Sequence, residues 1–126
     1  MVKYQLEFPI QASPSLLYQY ISTPSGLSEW FADNVNSRGK KFTFIWGESE
    51  EIAELVTKKG DERIKFRWED SEDTTAYFEI KIQVDAITKD VSLIITDFAD
   101  EEDEVEEGKM LWRNMIDDLK SVLGSR

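Results

Sequence analysis

The feature that most constrains the fold is a series of segments in which apolar and polar residues alternate. In "ERIKFRWE", Ile64, Phe66 and Trp68 alternate with charged residues. A period of two places the apolar side chains on one face of a strand and the charged ones on the other. Strands with one apolar face predict an antiparallel sheet that is covered on one side only. The segments are residues 3–10, "KKFTFIWG", "EIAELVTKKGDERIKFRWED", "AYFEIKIQVD" and "DVSLIITDF".

Turn signals separate these segments and set their limits. Gly47 closes the second segment, and the glycine-centred turn at residues 59–61 predicts a hairpin within the third. In the fourth segment the apolar face is assigned to Phe78, Ile80, Ile82 and Val84. The last segment has two possible phases, because Val91, Leu93 and Ile95 compete with Ile94 and Phe98 for the inward face.

One long segment near the end of the chain can cover this sheet. Between Glu104 and Leu123 apolar residues recur at intervals of three and four, the spacing of one face of an α-helix. Gly124 follows directly, and glycine commonly ends a helix because it adopts the left-handed conformation without strain. We therefore expect a helix that packs on the sheet through Trp112, Met115, Ile116, Leu119, Val122 and Leu123.

Two short helices are predicted between the first strand and the rest of the sheet. Ser13 precedes Pro14 and Thr23 precedes Pro24, and a hydroxyl cap followed by proline is typical of a helix start. A helix of two or three turns is not stable alone in water, so a larger body must hold both. Their apolar sides consist of Leu17, Tyr20 and Ile21 in the first helix and of Leu27, Trp30 and Phe31 in the second.

Three stretches together suggest a family: "FPIQASPSLLYQYISTPSGLSEWFADNV", "ELVTKKGDERIKFRWED" and "GKMLWRNMIDDLKSVL". Their order resembles the START-like, birch-pollen-allergen-like superfamily that includes polyketide cyclases. Within it the chain is most similar to the branch related to activators of the heat-shock chaperone ATPase. The resemblance covers nearly the whole chain and implies one domain, residues 1–126. It implies an α+β helix-grip fold: a curved antiparallel sheet wrapped around a long C-terminal helix, with two short helices after the first strand.

The resemblance also implies a place for a ligand. Members of the superfamily commonly enclose a cavity between sheet and helix for lipids, sterols, polyketides or plant hormones, whereas others enclose little and bind proteins. The short helices support one end of the long helix, so Trp30 and Phe31 are expected to close that end. The allergen-like branch has a glycine-rich loop after its second strand. The comparable "NSRGKK" has only Gly39, so phosphate binding is not predicted there.

Aromatic residues dominate the inward positions of the predicted strands and helix. Apolar walls with few polar groups are typical of ligand pockets, but aromatic side chains also fill the cores of small proteins. The sequence leaves both interpretations open, and the volume of the cavity would separate them. The candidate ligand-binding residues are Trp30, Phe31, Phe44, Trp46, Phe66, Trp68, Phe78, Ile80, Trp112, Met115 and Leu119.

Composition excludes several classes of function. The 126 residues include no histidine and no cysteine, which removes the usual catalytic base, thiol nucleophile and zinc ligands. A net charge of −11 repels phosphate backbones, so nucleic acid is not an expected partner. No apolar run has the length of a membrane span, and "MVKYQLEFPI" does not resemble a signal peptide. We therefore expect a cytoplasmic protein without membrane insertion or cofactor.

Carboxylates remain as candidates for a metal or catalytic site. "DFADEEDEVEE" contains eight carboxylates, but it lacks the glycine-turned calcium loop, so we expect a solvated segment without metal. Asp33 and Asp97 are a candidate pair for glycoside-type chemistry, although the sequence does not fix their separation. Met110 and Met115 are expected in the core, with contact to a variable ligand as the alternative.

Three functional hypotheses follow from these observations. The first is non-enzymatic binding of a small hydrophobic or amphipathic molecule, lipid- or polyketide-like, between sheet and helix. The second, implied by the resemblance, is a protein-interaction module that modulates a chaperone ATPase. The third is a cyclase or aromatase, which ranks last because acid–base chemistry would depend on Asp or Tyr alone.

Overall fold

The computed structural model describes residues 1–124 and has the element order predicted from the sequence, with one additional strand after the short helices. It confirms the α+β helix-grip fold, with short helices after the first strand and a long helix at the end. The last two residues of the predicted domain 1–126 lie outside the described range. The elements are β1 (Val2–Pro9), α1 (Pro14–Ser22), α2 (Pro24–Leu27), β2 (Asn34–Arg38), β3 (Lys41–Trp46), β4 (Ser49–Lys59), β5 (Arg63–Trp68), β6 (Phe78–Val84), β7 (Val91–Ala99), a 3-10 turn (Glu102–Glu104) and α3 (Val105–Leu123).

The seven strands form one antiparallel sheet in the order β1-β7-β6-β5-β4-β3-β2. The hairpin predicted at residues 59–61 joins β4 to β5. Strand β2 was not predicted, because Val35 is its only buried residue and pairing with β3 defines it. Between Leu55 and Thr57 the register shifts, and such a β-bulge bends a strand and increases its twist.

The inner face of the sheet carries the hydrophobic core. The predicted alternation is confirmed in β3, β5 and β6, and it fails only at Val84, which is 44% exposed because it is the last residue before the β6–β7 turn. In β7 the inward phase is that of Leu93 and Ile95, which are both fully buried. The large buried apolar residues of these strands are Phe42, Phe44, Ile64, Phe66, Phe78, Ile80, Ile82, Leu93 and Ile95.

The two short helices begin as predicted. The Ser13 hydroxyl accepts a hydrogen bond from the Leu16 N–H, and that of Thr23 accepts one from the Gly26 N–H. The helices pack closely at Gly26, where a Cβ would overlap the Gln19 carbonyl oxygen and lie 2.6 Å from the Tyr20 Cα.

The second helix is shorter than predicted. It is a single turn that ends at Leu27, so the assignment of Trp30 and Phe31 to this helix was wrong. Both residues lie in the turn that follows, where the N–H groups of Phe31 and Ala32 still donate to the Leu27 carbonyl. This turn carries the two aromatic rings toward the space between sheet and α3.

The long helix packs on the sheet through the predicted stripe. Trp112, Ile116 and Leu119 are buried, and Gly124 ends the helix with the expected left-handed backbone, at a φ of 68°. Two assignments to the core were wrong. Val122 is 39% exposed because it lies to one side of the buried stripe, and Met110 is 60% exposed because it points away from the sheet. Among residues 1–124 no helix combines the length and the apolarity needed to cross a membrane.

Candidate functional site

A groove of about 840 Å³ opens between one end of the sheet, the turn after α2 and one side of α3. The sheet contributes the last inward residue of β3, Trp46, and that of β5, Trp68. We call it the aromatic groove, defined by the tryptophan and phenylalanine rings that line it: Trp30, Phe31, Trp46, Trp68, Phe78 and Trp112. All six belong to the candidate binding residues, and Met115 lines the groove as well.

The other four candidate residues lie behind this wall. Phe44, Phe66, Ile80 and Leu119 are fully buried in the core and do not line the groove. Phe44 nevertheless supports the wall, since its ring lies 6.0 Å from that of Trp46 and 5.5 Å from that of Trp68. The structure thus combines both interpretations of the aromatic set: part of it is core and part borders open space.

Phe31 organises the aromatic groove from the turn after α2. Its ring stacks on Phe78 with centroids 5.5 Å apart, and it lies 5.8 Å from both Trp46 and Trp112. Its backbone carbonyl accepts a hydrogen bond of 3.0 Å from the Trp46 indole. Trp30 is fixed in turn by donating its indole N–H to the Tyr20 carbonyl at 2.8 Å. The indoles are therefore held in place by polar contacts as well as by packing, which preorganises the wall.

A partly buried carboxylate, that of Asp97, forms the polar part of the floor. The indole N–H of Trp112 donates to Asp97 Oδ2 at 2.8 Å, and the Tyr4 hydroxyl donates to the same oxygen at 3.5 Å. The Phe98 N–H donates to Oδ1 at 2.8 Å. Burial raises the pKa of Asp97 above its ordinary value, while the hydrogen bonds from Trp112 and Phe98 act in the opposite direction. Burial together with the Asp97 charge also raises the pKa of Tyr4.

Three more carboxylates stand at the rim of the aromatic groove: Glu29, Asp33 and Asp118, all exposed. The candidate pair Asp33 and Asp97 therefore borders one groove, in two different environments. Asp33 Oδ2 accepts a hydrogen bond of 2.7 Å from the Gly47 N–H, whereas Asp97 is bound to Trp112. Each of the two carboxylates thus fixes a neighbouring element of the wall.

The long helix contributes a side of which sequence reasoning identified only Met115 as a candidate binding residue. Leu111, Met115 and Val122 lie along the groove, with Asp118 between them at the same helical spacing. The intervals of four, three and four residues could have revealed this side. The predicted stripe included Met115 and Val122 but assigned them to the core, and it left out Leu111 and Asp118. Tyr4 was not assigned to the ligand site because the pattern of β1 gives the inward face of the strand but not which residue borders the groove. Asp97 was named only as a candidate partner of Asp33, because the phase of β7 was ambiguous.

The acidic segment lies outside the aromatic groove from residue 100 onward, whereas its first residue, Asp97, lines the groove and is not solvated as expected. Oxygen atoms of Glu101, Asp103 and Glu104 lie within 4.8 Å of one another, and all three side chains are exposed. Glu106 and Glu107 occupy the first turn of α3, where the helix dipole favours negative charge. The expectation of a segment without metal remains a prediction.

Comparison with known families gives a match along almost the entire chain. A family model described as a START-like superfamily domain matches residues 1–125. No curated protein matches the chain.

Solved structures share the same fold. BfR322 from Bacteroides fragilis, a solution NMR structure, is 36% identical, with a TM-score of 0.64 over 98% of this chain and 93% of its own. The Aha1 dimer from Colwellia psychrerythraea is 18% identical, with a TM-score of 0.76 over 98% and 96%. DynU16, a putative protein in the dynemicin biosynthetic locus, is 16% identical, with a TM-score of 0.70 over 98% of this chain and 46% of its own. The latter two identities establish likeness of fold alone.

Proposed function

Since this chain belongs to the START-like superfamily, we propose that it binds a small hydrophobic or amphipathic molecule in the aromatic groove. The observation that carries the proposal is a space of about 840 Å³ with six tryptophan and phenylalanine rings in its wall, beside the ring of Tyr4. That volume lies within the range of about 300–1,000 Å³ that is typical of small-molecule sites. Members of this superfamily generally bind hydrophobic ligands, and the preorganised wall of this chain suits a flat or branched apolar body.

The proposed function is binding without catalysis. The superfamily includes both non-enzymatic binders and cyclase-like enzymes. In this chain, which has no histidine and no cysteine, acid–base chemistry in the groove would depend on its carboxylates and Tyr4. Asp97, the partly buried carboxylate, accepts hydrogen bonds from Trp112 and the Phe98 backbone. Those contacts fix the wall of the groove, which is a positioning task rather than a chemical one.

Native mass spectrometry of freshly purified protein tests the proposal by revealing any molecule that co-purifies. A panel of apolar compounds, including fatty acids and planar polycyclic molecules, is then screened by melting temperature and tryptophan emission. A ligand that binds only the folded state must raise the melting temperature. The emission should also change, because all four tryptophans of the chain line the groove.

Two variants make this test specific to the groove. Met115→Trp places an indole inside the groove and should abolish the ligand-induced shift in melting temperature. Met110→Trp adds the same side chain on the same helix, at a residue that is 60% exposed and does not line the groove. It should leave the shift unchanged. No effect of any ligand on the unmodified chain would contradict the proposal.

A second candidate function is the modulation of a chaperone ATPase through a protein interface. It is favoured by exposed apolar side chains on α3, where Met110 is 60%, Leu111 57% and Val122 39% exposed. Exposed apolar surface on a helix often marks a protein contact. Measurement of the ATPase rate of a heat-shock chaperone with and without this chain tests the idea. A rate that is unchanged at saturating concentration of the chain would contradict it.

A further inference from the structure

The charged side chains that line the aromatic groove are all acidic. Its ionisable lining groups, apart from the Tyr4 hydroxyl, are carboxylates: Glu29, Asp33, Asp97 and Asp118. No lysine or arginine occurs among the lining residues that the structure describes, and the sequence has no histidine. A negatively charged ligand, such as a fatty acid, would therefore bring its own charge beside like charges in a partly desolvated space. The cost of desolvation and repulsion disfavours such a ligand.

The same charge extends beyond the groove. A neighbouring cleft of about 870 Å³ shares Trp68 and Asp97 with the aromatic groove. It adds five carboxylates: Glu51, Asp70, Glu72, Asp73 and Asp100. Apart from the α-amino group of Met1, the described residues that line it supply no basic group. Concave surfaces of one charge raise the local concentration of molecules of the opposite charge.

The walls of the aromatic groove also favour a positively charged molecule. The face of an indole attracts a cation, and tryptophan is the side chain that does so most strongly. Trp30, Trp46, Trp68 and Trp112 all line the groove, and Asp97 lies within hydrogen-bond distance of the last of them. Indole faces and carboxylates together recognise a positive charge that is carried on an apolar body.

We propose that the ligand of the aromatic groove is an amphipathic cation, with a flat apolar body and an amine or quaternary ammonium group directed toward the carboxylates. This inference rests on the proposed function and specifies the chemical class of its ligand. It separates this chain from a carrier of fatty acids, for which a basic residue in the pocket would be expected.

Three naphthalene compounds of similar size, whose polar groups differ in charge, test the inference. They are 1-naphthylmethylamine, 1-naphthalenemethanol and 1-naphthoate, titrated into the full chain by isothermal calorimetry at neutral pH. The amine should bind at least about tenfold more tightly than the alcohol, and the carboxylate should bind most weakly. The advantage of the amine should shrink as salt is raised, because salt screens charges near the surface.

A pair of triple variants distinguishes the groove from the overall acidity of the chain. Glu29→Gln, Asp33→Asn and Asp118→Asn together neutralise the rim of the groove. In the control, Glu7→Gln, Asp61→Asn and Asp90→Asn remove the same number of charges from exposed residues that do not line it. The turns that carry Asp61 and Asp90 lie at the opposite end of the sheet from Trp46 and Trp68. In the rim variant, the affinity for the amine should fall to within about threefold of the affinity for the alcohol. In the control, the preference for the amine should persist.

The outcomes separate the two proposals. If amine and alcohol bind equally, or if both variants weaken the amine alike, selection of a cation by the groove is wrong and binding of an apolar molecule stands. If none of the three ligands binds, both proposals are contradicted. Binding of the carboxylate in preference to the amine would contradict the cation inference alone.

Discussion

Replacement of Trp112 by alanine tests how α3 is seated on the sheet. The side chain is only 3% exposed, and its ring lies 5.8 Å from that of Phe31 and 6.1 Å from that of Phe78. Truncation of a buried tryptophan typically costs about 3–5 kcal/mol. Trp112→Ala also removes the donor that satisfies Asp97 Oδ2, which leaves only the long contact from Tyr4 on that oxygen. We therefore expect the upper part of that range. A loss of that size is a large share of the free energy of unfolding of a typical domain, which is about 5–15 kcal/mol.

Urea unfolding followed by far-UV circular dichroism measures this loss. Tryptophan emission is unsuitable because the variant removes one of the four fluorophores. Trp112→Phe keeps an aromatic ring but removes the indole N–H, so it should cost less than alanine, about 1–3 kcal/mol. Arg113→Ala, at the next and exposed residue, is the control and should change the free energy of unfolding by less than about 0.5 kcal/mol. A loss below about 1 kcal/mol for Trp112→Ala would mean that this helix is placed in the wrong register.

Three other perturbations examine the core, the floor and the acidic segment. Ile80→Phe should destabilise the fold by about 1–3 kcal/mol in thermal or urea unfolding, because residue 80 is fully buried outside the groove; an unchanged stability would contradict that placement. Asp97 holds its proton more tightly in the folded state, so its contribution to stability is complete below its ordinary pKa of 3.8 and is lost as pH rises through the raised value. The free energy of unfolding of Asp97→Asn minus that of the unmodified chain should therefore increase as pH rises from 3.8 through the raised pKa. A difference that does not change with pH would contradict the burial of this carboxylate. Combined Glu101→Gln and Asp103→Asn should leave the melting temperature nearly unchanged because both side chains are exposed, whereas a clear rise of the unmodified chain on adding calcium would reveal a metal site.

The strands and the long helix could be predicted because their periodicity reflects burial on one face. Phe66 and Phe78 alternate with charged residues, and Trp112 and Ile116 repeat at helical spacing, so a single pattern decides each element. Strand β2 could not be found in this way. It lies at the edge of the sheet with Val35 as its only buried residue, and only its pairing with β3 defines it.

The groove was harder to predict than the fold, because periodicity gives the inward face of a strand but not where the core ends along it. Phe44 and Trp46 share one face of β3, yet the first is fully buried and the second borders the groove. The same holds for Phe66 and Trp68 in β5. That boundary depends on where α3 and the turn after α2 lie, which is a tertiary property.

Asp97 illustrates a second limit. Two apolar phases overlap in β7, and a polar residue such as Asp97 does not favour either of them. The inward position of Asp97 is apparent only from the structure, in which Leu93 and Ile95 of the same phase are buried. Similarly, Leu111 belongs to a second side of α3, next to the stripe that dominates the pattern.

The central claim, that a small molecule occupies the aromatic groove, can be tested most directly with the three methionines of the chain. Labelling of their methyl groups with ¹³C gives one signal each for Met1, Met110 and Met115. Only Met115 lines the groove, while Met110 lies on the same helix at an exposed position. On titration with 1-naphthalenemethanol and, separately, with 1-naphthylmethylamine, the Met115 signal should shift by ring currents and show intermolecular contacts to the naphthalene protons. The Met110 signal should stay in place. Equal shifts at Met110 and Met115, or shifts at Met110 alone, would contradict binding in the groove.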